Sequence, residues 1–243
     1  MINSTITNKY DRLVFFDCET TGFNPDKDDQ IIELAAVALI SADGSTQEMD
    51  EFIYLTIKPD LPAKITELTG ISNWDLATHG KPEEEVLGMF AQIMGDGSCL
   101  LAAHNAQFDL LFTAYALLRH RGSEEGKDWM RKFNRADYLD TLTVFKDRKG
   151  YPHRLENAIE HYGLTGQVEN SHRAIDDTKA LAAVTAKLAE ERDDLASYIN
   201  VFGFPYNKGV MQPTLKKVTY RAQHPGMKEP DYTLPAQLQK EVR

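Results

Sequence analysis

Three short stretches of this 243-residue chain place acids where acids are costly. Asp17 and Glu19 end the apolar run Leu13-Val14-Phe15-Phe16, and side chains two apart on a strand point to the same face. Two carboxylates converging beside a core raise each other's pKa unless a cation lies between them. A hard divalent metal ion with oxygen ligands suits such a pair. Asp109 closes His104-Asn105-Ala106-Gln107-Phe108-Asp109, which follows the apolar run 99–103. Asp177 stands five residues after His172 in Ser171-His172-Arg173-Ala174-Ile175-Asp176-Asp177. An imidazole titrates near neutrality and can take a proton from water. Each has an ordinary reading as well: a turn acid, a helix N-terminal acid held by the dipole, a solvent-facing histidine.

In their order along the chain, Asp-x-Glu-Thr-Thr-Gly, His-Asn-x-x-Phe-Asp and His-x-Ala-x-x-Asp resemble the three motifs of the DEDDh 3'-to-5' exonucleases. That family includes the proofreading epsilon subunits of bacterial DNA polymerase III, PolC-type exonuclease domains and ribonuclease T. The resemblance covers about residues 13–192. It implies a four-carboxylate site, Asp17, Glu19, Asp109 and Asp177, for two divalent ions, Mg2+ or Mn2+, roughly 4 Å apart. By the same resemblance Asp17 bridges both ions, one ion acidifies the attacking water, the other steadies the departing 3' oxygen, and His172 is the general base. The product would be a nucleoside 5'-monophosphate, released one residue at a time.

Thr20, Thr21 and Gly22 would offer backbone groups to the terminal nucleotide, and the segment holding Thr69, Gly70 and Ile71 would lie over it. For that segment a helix C-cap followed by a buried Ile71 explains the residues equally well. His104 and Asn105 are read as shaping a strand-to-helix turn, Phe108 as core, and Asp140 as support from outside the metal shell. Asp176 lies about 100 degrees around the helix from Asp177; the motif spacing selects Asp177.

Elements must position these groups. Residues 13–16, 31–40 and 49–57 read as an antiparallel meander with a turn at 42–45. Residues 99–103 and 136–142 read as later strands, and helices are expected over 63–68, 82–94, 107–119, 153–164 and 174–192. Residues 122–134 read as a polar surface excursion whose Trp129 and Phe133 tuck against the body. The expected fold is α/β, a ribonuclease H-like mixed five-stranded sheet, an antiparallel meander followed by two parallel strands, flanked by helices. By the resemblance, residues 8–195 would form an exonuclease domain, and 196–243 a basic, aromatic, Pro/Gly-rich C-terminal extension.

The net charge is -10, with 42% hydrophobic and 26% charged residues, ordinary for a globular chain with one sizeable core. No apolar run approaches the ~20 residues of a membrane span, and the polar start lacks a signal-peptide core, so a cytoplasmic protein without membrane contact is expected. Two cysteines, Cys18 and Cys99, exclude a disulfide scaffold. The overall charge argues against a phosphate backbone as partner, but bound metal would neutralise part of it, and the extension carries seven basic against three acidic residues. Its aromatics suit a single-strand surface; packing on the chain's own body or on another subunit is the preferred reading. Lys146, Arg148, Lys149 and Arg154 either meet substrate phosphates or form a solvated face.

The expected partner is a single-stranded or frayed 3' end, DNA before RNA, since no motif reports contacts to a 2'-hydroxyl. A polymerase or a second copy of the chain is the expected protein partner. A non-catalytic nucleic-acid-binding subunit is the remaining reading, and no ligand of the set is missing to favour it.

Overall fold

The apolar run that carries Asp17 and Glu19 becomes the central strand of a sheet. The computed structural model describes residues 6, 8–169, 171–206, 209–210 and 212–223. Strands β1 (Arg12–Thr20), β2 (Ile31–Ile40), β3 (Thr46–Phe52), β4 (Cys99–Ala103) and β5 (Asp137–Asp140) pair in the order β3-β2-β1-β4-β5. The first three are antiparallel, and β4 and β5 run parallel to β1, giving the expected mixed sheet.

Alternation along β1 separates two cores. Val14, Phe16 and Cys18 pack among residues of α3 (Glu83–Met94) and α4 (Ala106–His120), including Phe90 and Leu110. Leu13 and Phe15 turn the other way, to α6 (Thr141–Arg148), α7 (Leu155–His161) and α8 (Ala174–Glu191), through Val144, Ile159, Leu181 and Val184. Each such aromatic or aliphatic side chain, fully buried, contributes about 1.5–3 kcal/mol. By the same alternation Asp17 and Glu19 emerge on the α8 face. A smaller cluster of Ile32, Leu61, Ile71 and Leu76 lies under α1 (Ala63–Thr69) and α2 (Asn73–His79).

Three elements differ from expectation. β3 spans 46–52 rather than 49–57, because past Ile53 the Gln30 side chain takes over the backbone groups: its Oε1 accepts from the amides of Thr56 and Ile57, and its Nε2 donates to the Tyr54 carbonyl. Helix α2, unforeseen, starts at a capping box in which Ser72 and Asp75 satisfy each other's backbone amides. The supposed excursion at 122–134 is helix α5 (Glu124–Arg135), capped by Ser123. Phe133 is buried and Trp129 packs over Gly88, so the two aromatics do tuck against the body.

Beyond α8 a 3-10 turn (Leu195–Tyr198) leads to a parallel pair, β6 (Val201–Pro205) and β7 (Thr219–Gln223). Asn200 joins this pair to β5, donating its amide to the Tyr138 carbonyl and accepting from the Tyr138 amide. Several of the basic and aromatic residues described here engage the body: Phe202 and Tyr198 are buried, Lys217 pairs with Asp137, and Arg221 pairs with Asp147, whereas Tyr206 and Lys216 are exposed. Packing on the chain's own body, one half of the preferred reading of the extension, is what its described residues between 196 and 223 show; residues 207, 208, 211 and 224–243 lie outside the described residues. Arg148 is likewise buried, donating to the Leu188 carbonyl and pairing with Asp194, whereas Arg154 faces solvent. Among the described residues no helix is long and apolar enough to cross a membrane.

Candidate active site

Helix α8 lies against β1 and β2, and its first turn brings Asp177 to the end of β1. One carboxylate oxygen each of Asp17, Glu19 and Asp177 lies within 4.8 Å of the others. Asp109 arrives from the opposite face on α4, where its Oδ1 accepts from the Cys18 amide at 3.2 Å and the Cys18 thiol at 3.3 Å. It stands outside that close group, yet among charged groups it acts most strongly on Asp17.

Burial, and then the charges of Asp109, Glu19 and Asp177, hold Asp17 well above the usual carboxylate range. Burial, then Glu33 and Asp177, push Glu19 up to about 8. Burial raises Asp109 to about 7 against the stabilising bonds from Cys18, and raises Asp177 to about 6 against the opposing pull of His172. Asp177 Oδ1 is buried with no hydrogen-bond partner among the described residues. Leaving such an oxygen unmet costs about 1–3 kcal/mol. Hard oxygens, mutual repulsion and an orphaned lone pair together fit a divalent cation.

His172 is exposed, at φ 56 in the loop that enters α8. Asp176 accepts from the Ser171 hydroxyl at 2.5 Å and stays outside the carboxylate group, as the motif spacing implied.

Asn105 holds φ 73 at the turn into α4. Asp140 Oδ1 accepts from the amides of Asn105 and Ala106 at 3.0 and 3.1 Å, and the same carboxylate caps α6 through Leu142 and Thr143. His104 Nε2 donates to the His153 carbonyl at 2.9 Å and Nδ1 meets Thr141 Oγ1 at 3.0 Å, so both residues brace the turn. Because one carboxylate serves four amides, Asp140→Ala is expected to cost about 3 kcal/mol. Thermal unfolding should show this as a fall of roughly 6–12 °C, with Asp140→Asn losing less.

The Thr20 to Gly22 turn is held from within. Thr20 Oγ1 donates to the Gly22 carbonyl at 2.7 Å, and Thr21 Oγ1 to Asp29 Oδ1 at 3.0 Å. A Cβ on Gly22 would come within 2.4 Å of the Asp29 carboxylate, so it is the approach of Asp29 that demands glycine here. Thr69, Gly70 and Ile71 show the local role: Gly70 at φ 73 caps α1, the Thr69 hydroxyl accepts from the Ile71 amide at 3.1 Å, and Ile71 is buried in the small core.

Several residues escaped the sequence reading. Glu33 is the one charge in the otherwise apolar β2, a signal that was legible. Phe23, 81% exposed directly after Gly22, sits edge-on to Phe108 at 6.2 Å; Phe108 in turn packs on Phe112, in keeping with its reading as core. Asp29 had no local signal.

A sheet of this order, with acids from β1, α4 and α8 gathered at one end, is a ribonuclease H-like arrangement that carries a candidate metal site. The sequence profile of the exonuclease family matches residues 14–185. A PolC-type DNA polymerase III of Clostridium perfringens is 36% identical over 193 residues, covering 75% of this chain and 12% of that protein. The 3'-5' exonuclease DinG of Bacillus subtilis is 31% identical over 217 residues, covering 88% and 20% respectively. Escherichia coli exonuclease I in complex with a dT13 oligonucleotide superposes with a TM-score of 0.63 at 17% identity, over 77% of this chain and 43% of that one, and so shares the fold. The chain belongs to the exonuclease family. It corresponds to a small part, 12% and 20%, of the length of those two curated relatives.

Proposed function

We propose that the chain is a two-metal-ion 3'-to-5' exonuclease that hydrolyses DNA from the 3' end and releases nucleoside 5'-monophosphates. The observation that carries this reading is the close group of Asp17, Glu19 and Asp177 oxygens with Asp177 Oδ1 orphaned. Asp17, Glu19, Asp109 and Asp177 would hold two divalent ions, Mg2+ or Mn2+. When bound, such ions acidify water and offset the charge that builds on the attacking and departing oxygens.

The chain's own residues supply the rest. His172, exposed in the loop before α8 and close enough for its charge to act on Asp177, accepts the proton of the attacking water at its imidazole nitrogen. Cys18 fixes the Asp109 carboxylate through its amide and thiol. The Thr20 to Gly22 turn presents backbone to the terminal nucleotide, and Phe23 offers an aromatic face to a base. DNA is favoured because the polymerase relatives are DNA polymerases and the exonuclease I neighbour holds a DNA oligonucleotide. The polymerase relatives also favour a DNA polymerase as partner.

The test uses 5'-labelled single-stranded DNA and RNA of matched sequence with Mg2+ or Mn2+. A ladder shortening from the 3' end of DNA is expected, slowed about 10²–10⁴-fold in His172→Ala. Shortening of RNA alone would reassign the substrate, and no shortening of either by a folded protein would overturn the enzyme.

A further inference from the structure

Glu33 is fully buried in β2, directly across the antiparallel register from Glu19 and on the same face. A buried carboxylate needs compensation, and in this position it would be a natural fifth metal ligand. Its oxygens are engaged elsewhere. Oε1 accepts from Arg173 Nε at 2.9 Å and Nη2 at 2.6 Å, and Oε2 accepts from the Ala174 amide at 3.0 Å, the first turn of α8. The Arg173 guanidinium also lies over the Phe52 ring, 5.0 Å from its centroid. Three hydrogen bonds and a stacked face therefore hold residues 173 and 174.

The residue immediately before them is His172, a non-glycine residue in the left-handed region. Such a conformation persists only where the surroundings impose it. Helix α8 is held separately, by Leu181, Val184 and Leu188 in the core, so Asp177 does not depend on the Glu33 contact.

We propose that Glu33 and Arg173 form a positioning clamp that sets the His172 imidazole against the Asp17, Glu19 and Asp177 group. The inference rests on the exonuclease reading above. Glu33 is a positioning residue: it acts through the backbone of residues 173 and 174. The planar fork of arginine, which a lysine does not reproduce, is what binds one carboxylate oxygen twice.

The experiment measures Glu33→Gln and Arg173→Lys, alone and combined with His172→Ala. The readouts are turnover of labelled DNA, Mn2+ binding by calorimetry, melting temperature, and the His172 ring signal of metal-free protein by NMR. Glu33→Gln is expected to lower kcat about 10–100-fold, in the range of a displaced general base, with KM and Mn2+ affinity within about twofold. The His172 ring signal should shift or broaden in both clamp variants. In the His172→Ala background the same substitutions should cost no further turnover, since the group they position is gone.

Full multiplication of the two losses, or a kcat loss that merely follows Mn2+ affinity, would overturn the clamp and leave a plain fold-stabilising ion pair. Should Glu33→Gln fail to fold, Arg173→Lys, at the half-exposed end of the pair, carries the test. If His172→Ala alone leaves turnover intact, it is the general-base reading that fails, and the ring signal then decides the clamp: moved supports it, unmoved overturns it.

Discussion

Replacing Asp17 by asparagine is expected to abolish hydrolysis and, in the same molecule, to raise the melting temperature of the metal-free protein. Both effects come from one cause. Asp17 is half-buried among Asp109, Glu19 and Asp177, and desolvation together with those charges holds its carboxyl well above the ordinary range. At neutral pH the folded metal-free protein must either carry that repulsion or bind a proton that the unfolded chain would release. Asparagine keeps the shape and removes the charge, so the fold gains about 1–3 kcal/mol, on the scale measured when buried ionic groups are replaced. For a chain of this size that is roughly 3–10 °C. Catalysis loses about 10³-fold or more, the scale of removing a central electrostatic element of a site. Calorimetry in EDTA and single-turnover hydrolysis check the two halves. A lower melting temperature in EDTA would mean that Asp17 has a stabilising partner and that the carboxylate group is not the strained cluster described above.

The second large effect is a pH-dependent gain in stability on adding metal. Glu19, Asp109 and Asp177 are held up to about 8, 7 and 6, against about 4 for an ordinary carboxyl. For acids raised in the folded state, the stability is fully present below the ordinary range and is lost as pH rises through the folded values. The metal-free protein should therefore melt at progressively lower temperature between about pH 4 and pH 8. Metal binding requires the ionised acids, so the stabilisation by Mn2+ runs the other way, largest at pH 8 and shrinking toward pH 6. At a hundredfold excess over its dissociation constant, the metal contributes about 2.7 kcal/mol, roughly 5–10 °C. Melting curves with and without Mn2+ at pH 6, 7 and 8 measure it, and a gain that does not change with pH would refute this account.

Much of the candidate site was legible in the residues themselves because each motif is local. An apolar run ending in Asp-x-Glu places two acids on one strand face, His-Asn-x-x-Phe-Asp follows a strand into a helix, and five residues separate His172 from Asp177 at a helix start. Strand β2 falls at residues 31–40 as expected, since ten nearly all-apolar residues between turn signals admit little else. The mixed sheet followed from the family resemblance and the run of elements. Helix α5 was not legible as a helix: its surface is so polar that only Ser123, the two glutamates after it and the spacing of Trp129 and Phe133 mark it.

What only the tertiary structure decided was which groups meet across long stretches of chain. The β1 to β2 register, which sets Glu19 opposite Glu33, places a buried acid where it can grip Arg173, 140 residues away. Asp140 reaches back 35 residues to hold the turn that aims Asp109. Asp109 itself stands across Cys18, from the face opposite Asp177. The basic residues of the extension, which as residue types could equally have met nucleic acid, are matched at Lys217 and Arg221 by acids of the body. Local spacing determines what a side chain can do, because it sets face and direction along one element. Its partner depends on register and layer packing, which the burial of both faces of the sheet selects for the chain as a whole.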